Sequence, residues 1–265
     1  MFVDYHIHSG YSFDSNEDMD NICTVAINRG LTEIAITDHL DIYENKDYSY
    51  MINCEQWYSS LLEIKEKYKK RLQVKLGIEV GTPQHNGGEY EKFYKKYPLD
   101  FIIGSIHNLE HDVDVADYDF HVTDYHQVYE NYNKHLMELA KKYEFDVMGH
   151  LTYPSRYIEK QTGIFPDVKE YEEFYRALFQ VLIQRGKGIE LNTSGIARGG
   201  TTVMPPLWLV KLYRECGGEI ITTGTDAHVA QQVGITTKMS RQLLQEAGFS
   251  YYTIFSNHIP EFVKI

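Results

Sequence analysis

The stretch "VDYHIHSGYSFDS", Val3 to Ser15, sets two histidines one residue apart behind an apolar start, with an aspartate six residues beyond the second. Successive side chains of an extended chain point to opposite faces, so His6 and His8 share one face. Three potential metal ligands, His6, His8 and Asp14, therefore collect where the first strand stops.

Six further runs continue the pattern. Short apolar or β-branched segments at 33–39, 74–80, 100–107, 145–150, 186–192 and 218–228 join the first, 2–8, to give seven candidate strands. Between them lie stretches of helical period at 19–30, 54–71, 123–143, 168–186 and 205–218, with shorter helices expected at 89–96 and 239–247. Strands alternating with longer helices are the pattern of repeated strand–helix units around a parallel sheet. There is no linker rich in Pro, Gly and Ser and no motif at a fixed period, so residues 1–265 read as a single α/β domain.

The ends of these runs carry the chemistry. His6 and His8, His39, Glu79, His107, His150, and then Asp226 with His228 close the first five runs and the seventh. In a barrel of parallel strands all C-terminal ends open on one face, where such folds build their sites from strand tips and the loops that follow. Period-two alternation would also put Asp226 and His228 on one face, if the strand stays extended there. Imidazole and carboxylate without thiolate suit zinc, manganese or iron. With Asp14 there are nine candidate ligands, His6, His8, Asp14, His39, Glu79, His107, His150, Asp226 and His228, more than one ion needs. Two or three ions sharing Glu79 as a bridge would use them all.

Of the 12 histidines, six stand at these ends. His126 and His135 read as helix-surface residues, His258 lies near the C-terminus and His85 in a loop with glycines. His111 and His121 occupy the polar loop "HNLEHDVDVADYDFH" after the fourth strand, where they are candidate substrate contacts. The tyrosine stripe Tyr125, Tyr129 and Tyr132 has the spacing of helix packing. Arg156, in "GHLTYPSRY", and Arg198, in "ELNTSGIARGG", follow the fifth and sixth strands and read as loop residues at the mouth, where a guanidinium fork matches phosphate oxygens. Asp38 and Asp4 are candidates to orient metal-bound imidazoles, Asp4 equally for a structural role.

Bulk properties narrow the class. A formal charge of -12 disfavours binding to phosphate backbones, and no basic groove is evident, so no nucleic-acid partner is expected. No apolar run reaches the length of a membrane span, and "MFVDYHIH" lacks the basic and apolar regions of a signal peptide, which makes the cytoplasm the expected location and a membrane an unexpected partner. Cys23, Cys54 and Cys216 form no CxxC pair and read as small buried hydrophobes. No P-loop, GxSxG elbow or dinucleotide fingerprint is present.

"DYHIHSGYS", "ITDH", "GIEVG", "GSIH", "GH" at 149–150 and "TDAH" resemble, in order and over nearly the full chain, the successive motifs of the polymerase and histidinol phosphatase (PHP) family. "IIGSIHNL", "GHLTYPSRY" and "ELNTSG" look most like its histidinol-phosphatase branch. The resemblance implies a distorted (β/α)7 TIM-like barrel and three divalent ions, Zn, Mn or Fe. One would be held by His6, His8, Glu79 and Asp226, a second by Glu79, His107 and His150, a third by Asp14, His39 and His228. Many relatives carry histidine where this chain has Asp14, a carboxylate that can replace imidazole as a ligand. Arg156 and Arg198 align with arginines that contact phosphate or substrate in that branch. Glu79, Asp226 and His228 are the expected catalytic set. The implied reaction is hydrolysis of L-histidinol phosphate to L-histidinol and phosphate, in histidine biosynthesis, by in-line attack of a metal-bound hydroxide. The alternative is another small phosphomonoester, such as phosphotyrosine. A metal-binding module without chemistry would show a missing ligand, and none is missing.

Overall fold

The computed structural model describes residues 1–50 and 52–265. In chain order its elements are β1 (Val3–Asp4), α1 (Met19–Asn28), β2 (Glu33–Ile36), β3 (His39–Asp41), α2 (Cys54–Tyr68), β4 (Gln73–Gly81), α3 (Gly87–Lys96), β5 (Phe101–Ser105) and α4 (Tyr125–Lys142). There follow β6 (Val147–Met148), α5 (Tyr153–Thr162), α6 (Glu172–Gln184), β7 (Gly188–Asn192), α7 (Ser194–Ala197), α8 (Leu207–Glu215), β8 (Ile221–Gly224), α9 (Thr237–Glu246), β9 (Tyr251–Ser256) and β10 (Ile259–Lys264).

The large sheet is parallel throughout, in the order β1-β2-β4-β5-β6-β7-β8, with β3 beside β4. Its strands are buried on both faces, which is why they read as near-continuous apolar runs. The two outer strands meet: Tyr5 donates its N–H to Thr223 O at 3.0 Å, His8 donates to Ala227 O at 2.8 Å, and Ile7 bridges Ala227 in parallel register. The sheet thereby closes into a TIM-like barrel. Asp4 stands at this seam, accepting from the N–H groups of Thr225 (2.9 Å) and Gly234 (2.7 Å) and from the Thr225 hydroxyl. Its role is structural, since it reaches no imidazole ring.

The second predicted strand is not continuous. It divides into β2 and β3 at Thr37 and Asp38, whose side chains are taken by the β1 side: Thr37 Oγ1 accepts from Ile7 N, and Asp38 accepts from Ser9. The predicted helix 168–186 begins as one 3₁₀ turn, Val168–Tyr171, and becomes α-helical at Glu172. Three elements go beyond the sequence reading. α5 occupies the region expected as a loop, so Arg156 is a helix residue; Pro154 starts the helix and Gly163, at φ 71°, ends it. A single-turn helix, α7, precedes Arg198.

The third is the antiparallel hairpin β9–β10, which turns through Asn257 and His258 at positive φ and covers the N-terminal end of the barrel. Thr253 Oγ1 accepts from Ile221 N there, Phe255 N donates to Tyr5 OH, and Phe255 packs on Phe101 with ring centroids 5.1 Å apart. One buried apolar cluster extends from Val3 to Phe255. Closing one end with the hairpin leaves the C-terminal end as the open mouth. No helix among the described residues is long and apolar enough to cross a membrane.

Candidate metal centre at the barrel mouth

The residues predicted from the strand ends converge. Glu79, on β4, is fully buried at the centre and uses both carboxylate oxygens. Its Oε2 lies 3.2 Å from His6 Nε2, 3.6 Å from His8 Nε2 and 3.1 Å from His39 Nδ1. Its Oε1 lies 2.7 Å from His150 Nε2 and 3.2 Å from His107 Nε2, and accepts from the Ser105 hydroxyl at 2.7 Å. Asp226 Oδ1 stands 3.5 Å from His8 Nε2 and 3.9 Å from His6 Nε2. At the outer rim Asp14 places one oxygen 3.6 Å from His39 Nε2 and the other 2.9 Å from His228 Nε2.

Asp226 and His228 arrive by a different route from the one expected. β8 ends at Gly224 and Asp226 has φ 51°, so a turn rather than strand alternation brings the two side chains together. Thr82 (φ 49°) and Thr152 (φ 75°) are likewise left-handed just beyond β4 and β6. A β-branched residue there is strained, and such strain collects where a site needs the chain to bend sharply. Thr82 is held by its hydroxyl, which accepts from His107 N (3.2 Å) and Asn108 N (3.0 Å) and so fixes the backbone that delivers His107.

Several potential ligand atoms face one another. His6 Nε2, His8 Nε2, His39 Nδ1 and Glu79 Oε2 are buried without a hydrogen-bond partner. The donor atoms of His6, His8 and Glu79, of His39, Glu79 and His107, and of His8, His39 and His228 lie within 4.8 Å of one another. Ligands 2.0–2.2 Å from a tetrahedral cation stand about 3.3–3.6 Å apart, and the spacings around Glu79 and Asp226 fall near that edge length. The donor set fits divalent cations.

Charge follows the same logic. Burial opposes protonation of His6, but Glu190, Glu79 and Asp226 outweigh it and hold the imidazole well above its usual range. His107 is raised likewise by Asp41 and Glu79, and His39, against its burial, is raised to about 10 by Glu79 and Asp14. Burial pushes His8 and His150 down. Glu79, despite its burial, is held well below the carboxylate range by His6, His107 and His39.

The partners that orient the imidazoles are mostly ones the sequence reading missed. Asp41 Oδ1 lies 2.8 Å from His107 Nδ1, and Glu190 Oε1 lies 2.7 Å from His6 Nδ1. The Ser12 hydroxyl stands 3.1 Å from His8 Nδ1 and donates to Asp38, so Asp38 acts on His8 through Ser12. A carboxylate on the far nitrogen fixes the tautomer and turns the other nitrogen's lone pair into the cavity.

Both arginines reach the centre. Arg156 Nη2 donates to Asp226 Oδ2 at 3.1 Å and to the Ser194 hydroxyl, and its guanidinium lies over the Tyr153 ring. Arg198 lies within 3.4 Å of Asp226 O and His228 Nδ1. His111 and His121 do not join them. Both are exposed, His111 at φ 61° and His121 donating only its backbone N–H, to Asp119. The remaining histidines pair elsewhere: His85 with Asp112, His126 with Glu170, His135 with Gln84 and His258 with Asp146. Tyr129 and Tyr132 are core residues.

A parallel barrel whose mouth gathers imidazoles and carboxylates around one shared glutamate is a barrel built for cation-dependent chemistry. The model of the PHP domain family matches residues 4–194, and the chain belongs to that family. The histidinol-phosphatase of Lactococcus lactis subsp. lactis is 29% identical over 262 residues, spanning 96% of this chain and 94% of its own length. A Thermotoga maritima protein named "Probable histidinol-phosphatase" is 24% identical, spanning 95% of each chain. The crystal structure of histidinol phosphate phosphatase from Lactococcus lactis, complexed with zinc, L-histidinol and phosphate, superposes with a TM-score of 0.84 at 26% identity over 98% of both chains.

Proposed function

We propose that this protein hydrolyses L-histidinol phosphate to L-histidinol and phosphate, with divalent cations as its cofactor. The observation that carries the reading is the set of buried, unpartnered nitrogen and oxygen atoms around Glu79 at ligand-edge spacing. The family, and relatives of nearly equal length named for this activity, give the substrate.

Three groups of residues would hold cations: His6, His8, Glu79 and Asp226; Glu79, His107 and His150; Asp14, His39 and His228. When bound, such ions lower the pKa of coordinated water toward neutrality and offset charge developing on phosphoryl oxygens. The chain's own residues do the rest. Asp14, Glu79 and Asp226 contribute three negative charges, so three divalent ions would leave the site net positive and matched to a phosphate dianion. Arg156 and Arg198 supply guanidinium donors at the rim, and Asp226 holds Arg156 in place before substrate arrives. Tyr153, its ring tilted against that of His150 with centroids 4.8 Å apart, walls the second group from solvent. The whole chain, residues 1–265, acts as one catalytic domain.

Turnover of L-histidinol phosphate and phosphotyrosine by the zinc-loaded protein tests the substrate. The expected result is a kcat/KM for L-histidinol phosphate larger by at least about a hundredfold, the discrimination a site gains from polar groups that only one leaving group can satisfy. Equal values would move the assignment to another phosphomonoester. Arg198→Ala is expected to raise KM by roughly tenfold or more with kcat less affected, since a charge-assisted hydrogen bond contributes about 1.5–3 kcal/mol. An unchanged KM would remove Arg198 from phosphate binding.

A further inference from the structure

Glu190 belongs to none of the three ligand groups, yet two of them meet at its carboxylate. It sits on β7, 1% exposed, in the strand whose end contributes no ligand. Its Oε1 lies 2.7 Å from His6 Nδ1. Its Oε2 accepts from His150 N at 2.9 Å and from Asn192 Nδ2 at 3.2 Å, and Asn192 Nδ2 also stands 3.4 Å from Asp226 Oδ2. The barrel makes room for this reach. A Cβ on Gly224 of β8 would lie 2.4 Å from Glu190 Oε1 and 2.4 Å from the His6 Cβ.

The two contacts do different things. A carboxylate acceptor keeps the proton of neutral His6 on Nδ1, leaving Nε2 with a lone pair directed at Glu79 Oε2 and Asp226 Oδ1. That juxtaposition of lone pairs is favourable only with a proton or a metal cation between them. At the other oxygen, Glu190 anchors the His150 backbone at a sharp bend, φ 20°, from which the ring reaches Glu79 Oε1. One carboxylate thus sets the tautomer of a ligand in the first group and the placement of a ligand in the second. Asp41 offers the contrast, since of the ligand imidazoles it pairs with His107 alone, through Nδ1.

We propose that Glu190 is a positioning residue that couples two cation subsites, so that losing its charge weakens both together. The proposal rests on the metal-dependent reading above. Glu190→Gln keeps the volume but not the charge, so in either amide orientation it loses one of its two roles outright and leaves the other with a neutral partner in place of a charged one. With the amide oxygen toward His6, its NH2 confronts the N–H of His150 and the NH2 of Asn192. Flipped, it forces the His6 proton onto Nε2 and removes the ligand lone pair.

The test is zinc retention by the full chain. Wild type, Glu190→Gln and Asp41→Asn are dialysed against zinc buffered at the lowest concentration that saturates wild type, and bound zinc is measured by elemental analysis. Cobalt(II) absorption spectra and metal-free melting temperatures are recorded in parallel. Subsite affinities should fall by about 10- to 100-fold, so Glu190→Gln should retain two fewer ions per chain than wild type, and Asp41→Asn one fewer. A merely structural role would lower the melting temperature without this difference in ion count. If Glu190→Gln does not fold, Glu190→Asp, which keeps the charge but not the reach, should lose the same two ions in a higher zinc range. Loss of one ion or none from the Glu190 variants, with wild type saturated, overturns the coupling and leaves the cofactor reading intact. A wild-type chain that retains no zinc at any concentration overturns the cofactor reading itself.

Discussion

Glu79→Gln is expected to lower kcat for L-histidinol phosphate by at least about a thousandfold while leaving the barrel folded. Each carboxylate oxygen of Glu79 faces a different set of imidazoles, Oε2 toward His6, His8 and His39 and Oε1 toward His107 and His150. Its two oxygens together reach all three proposed ligand groups. The amide is isosteric, and its oxygen can still accept from Ser105, so packing at the barrel centre should survive. What it loses is a negative charge and one of the two ligand atoms. Cations at a phosphoryl site contribute several kcal/mol of transition-state stabilisation, and about 4 kcal/mol corresponds to a factor of a thousand. Phosphate release, read beside circular dichroism and the melting temperature, separates chemistry from folding. A folded variant turning over near the wild-type rate would end the central role given to Glu79.

The convergence on Glu79 was legible in the sequence, and so was the candidate site around it. The reason is geometrical: parallel strands of a barrel end together, so His6, His39, Glu79, His107 and His150 need only stand at or near the ends of their runs to be neighbours. What was illegible depended on partners across the barrel. Glu190 lies within "GIELN", a strand with no ligand at its tip, and nothing local says that it meets His6 just beyond β1. A signal existed, because an acid inside a doubly buried strand must find a partner. Asp41 hid for a related reason, since β3 carries it past His39 to a ring delivered by β5. Helix α5 was missed because the segment following the fifth strand was read as a loop at the mouth, although Pro in the first turn and Gly after the last is a helix signature. The β9–β10 hairpin announced itself only through Asn257, a residue that tolerates the left-handed turn.

Exhaustive chelation is expected to abolish turnover, and zinc alone to restore it. The same treatment should lower the melting temperature, because a ligand present at a thousand times its Kd contributes about 4 kcal/mol to the folded state. For a chain of this size that corresponds to roughly 10 °C. Binding should also release protons. In the metal-free site the neighbouring carboxylates, Glu79 foremost for His39, outweigh burial and raise the imidazole pKa values of His6, His39 and His107, that of His39 to about 10. His39, so raised, is still protonated at pH 8, where an ordinary imidazole is already neutral. Zinc that ligates this ring at pH 8 must therefore expel its proton, which calorimetry in buffers of different ionisation enthalpy detects. The sign is fixed by the direction of the shifts: as the pH rises through the folded-state values, fewer protons remain to be displaced and the release falls. An enzyme working undiminished with its zinc removed, or zinc uptake at pH 8 without proton release, would mean that these imidazoles and acids face one another for some reason other than holding cations.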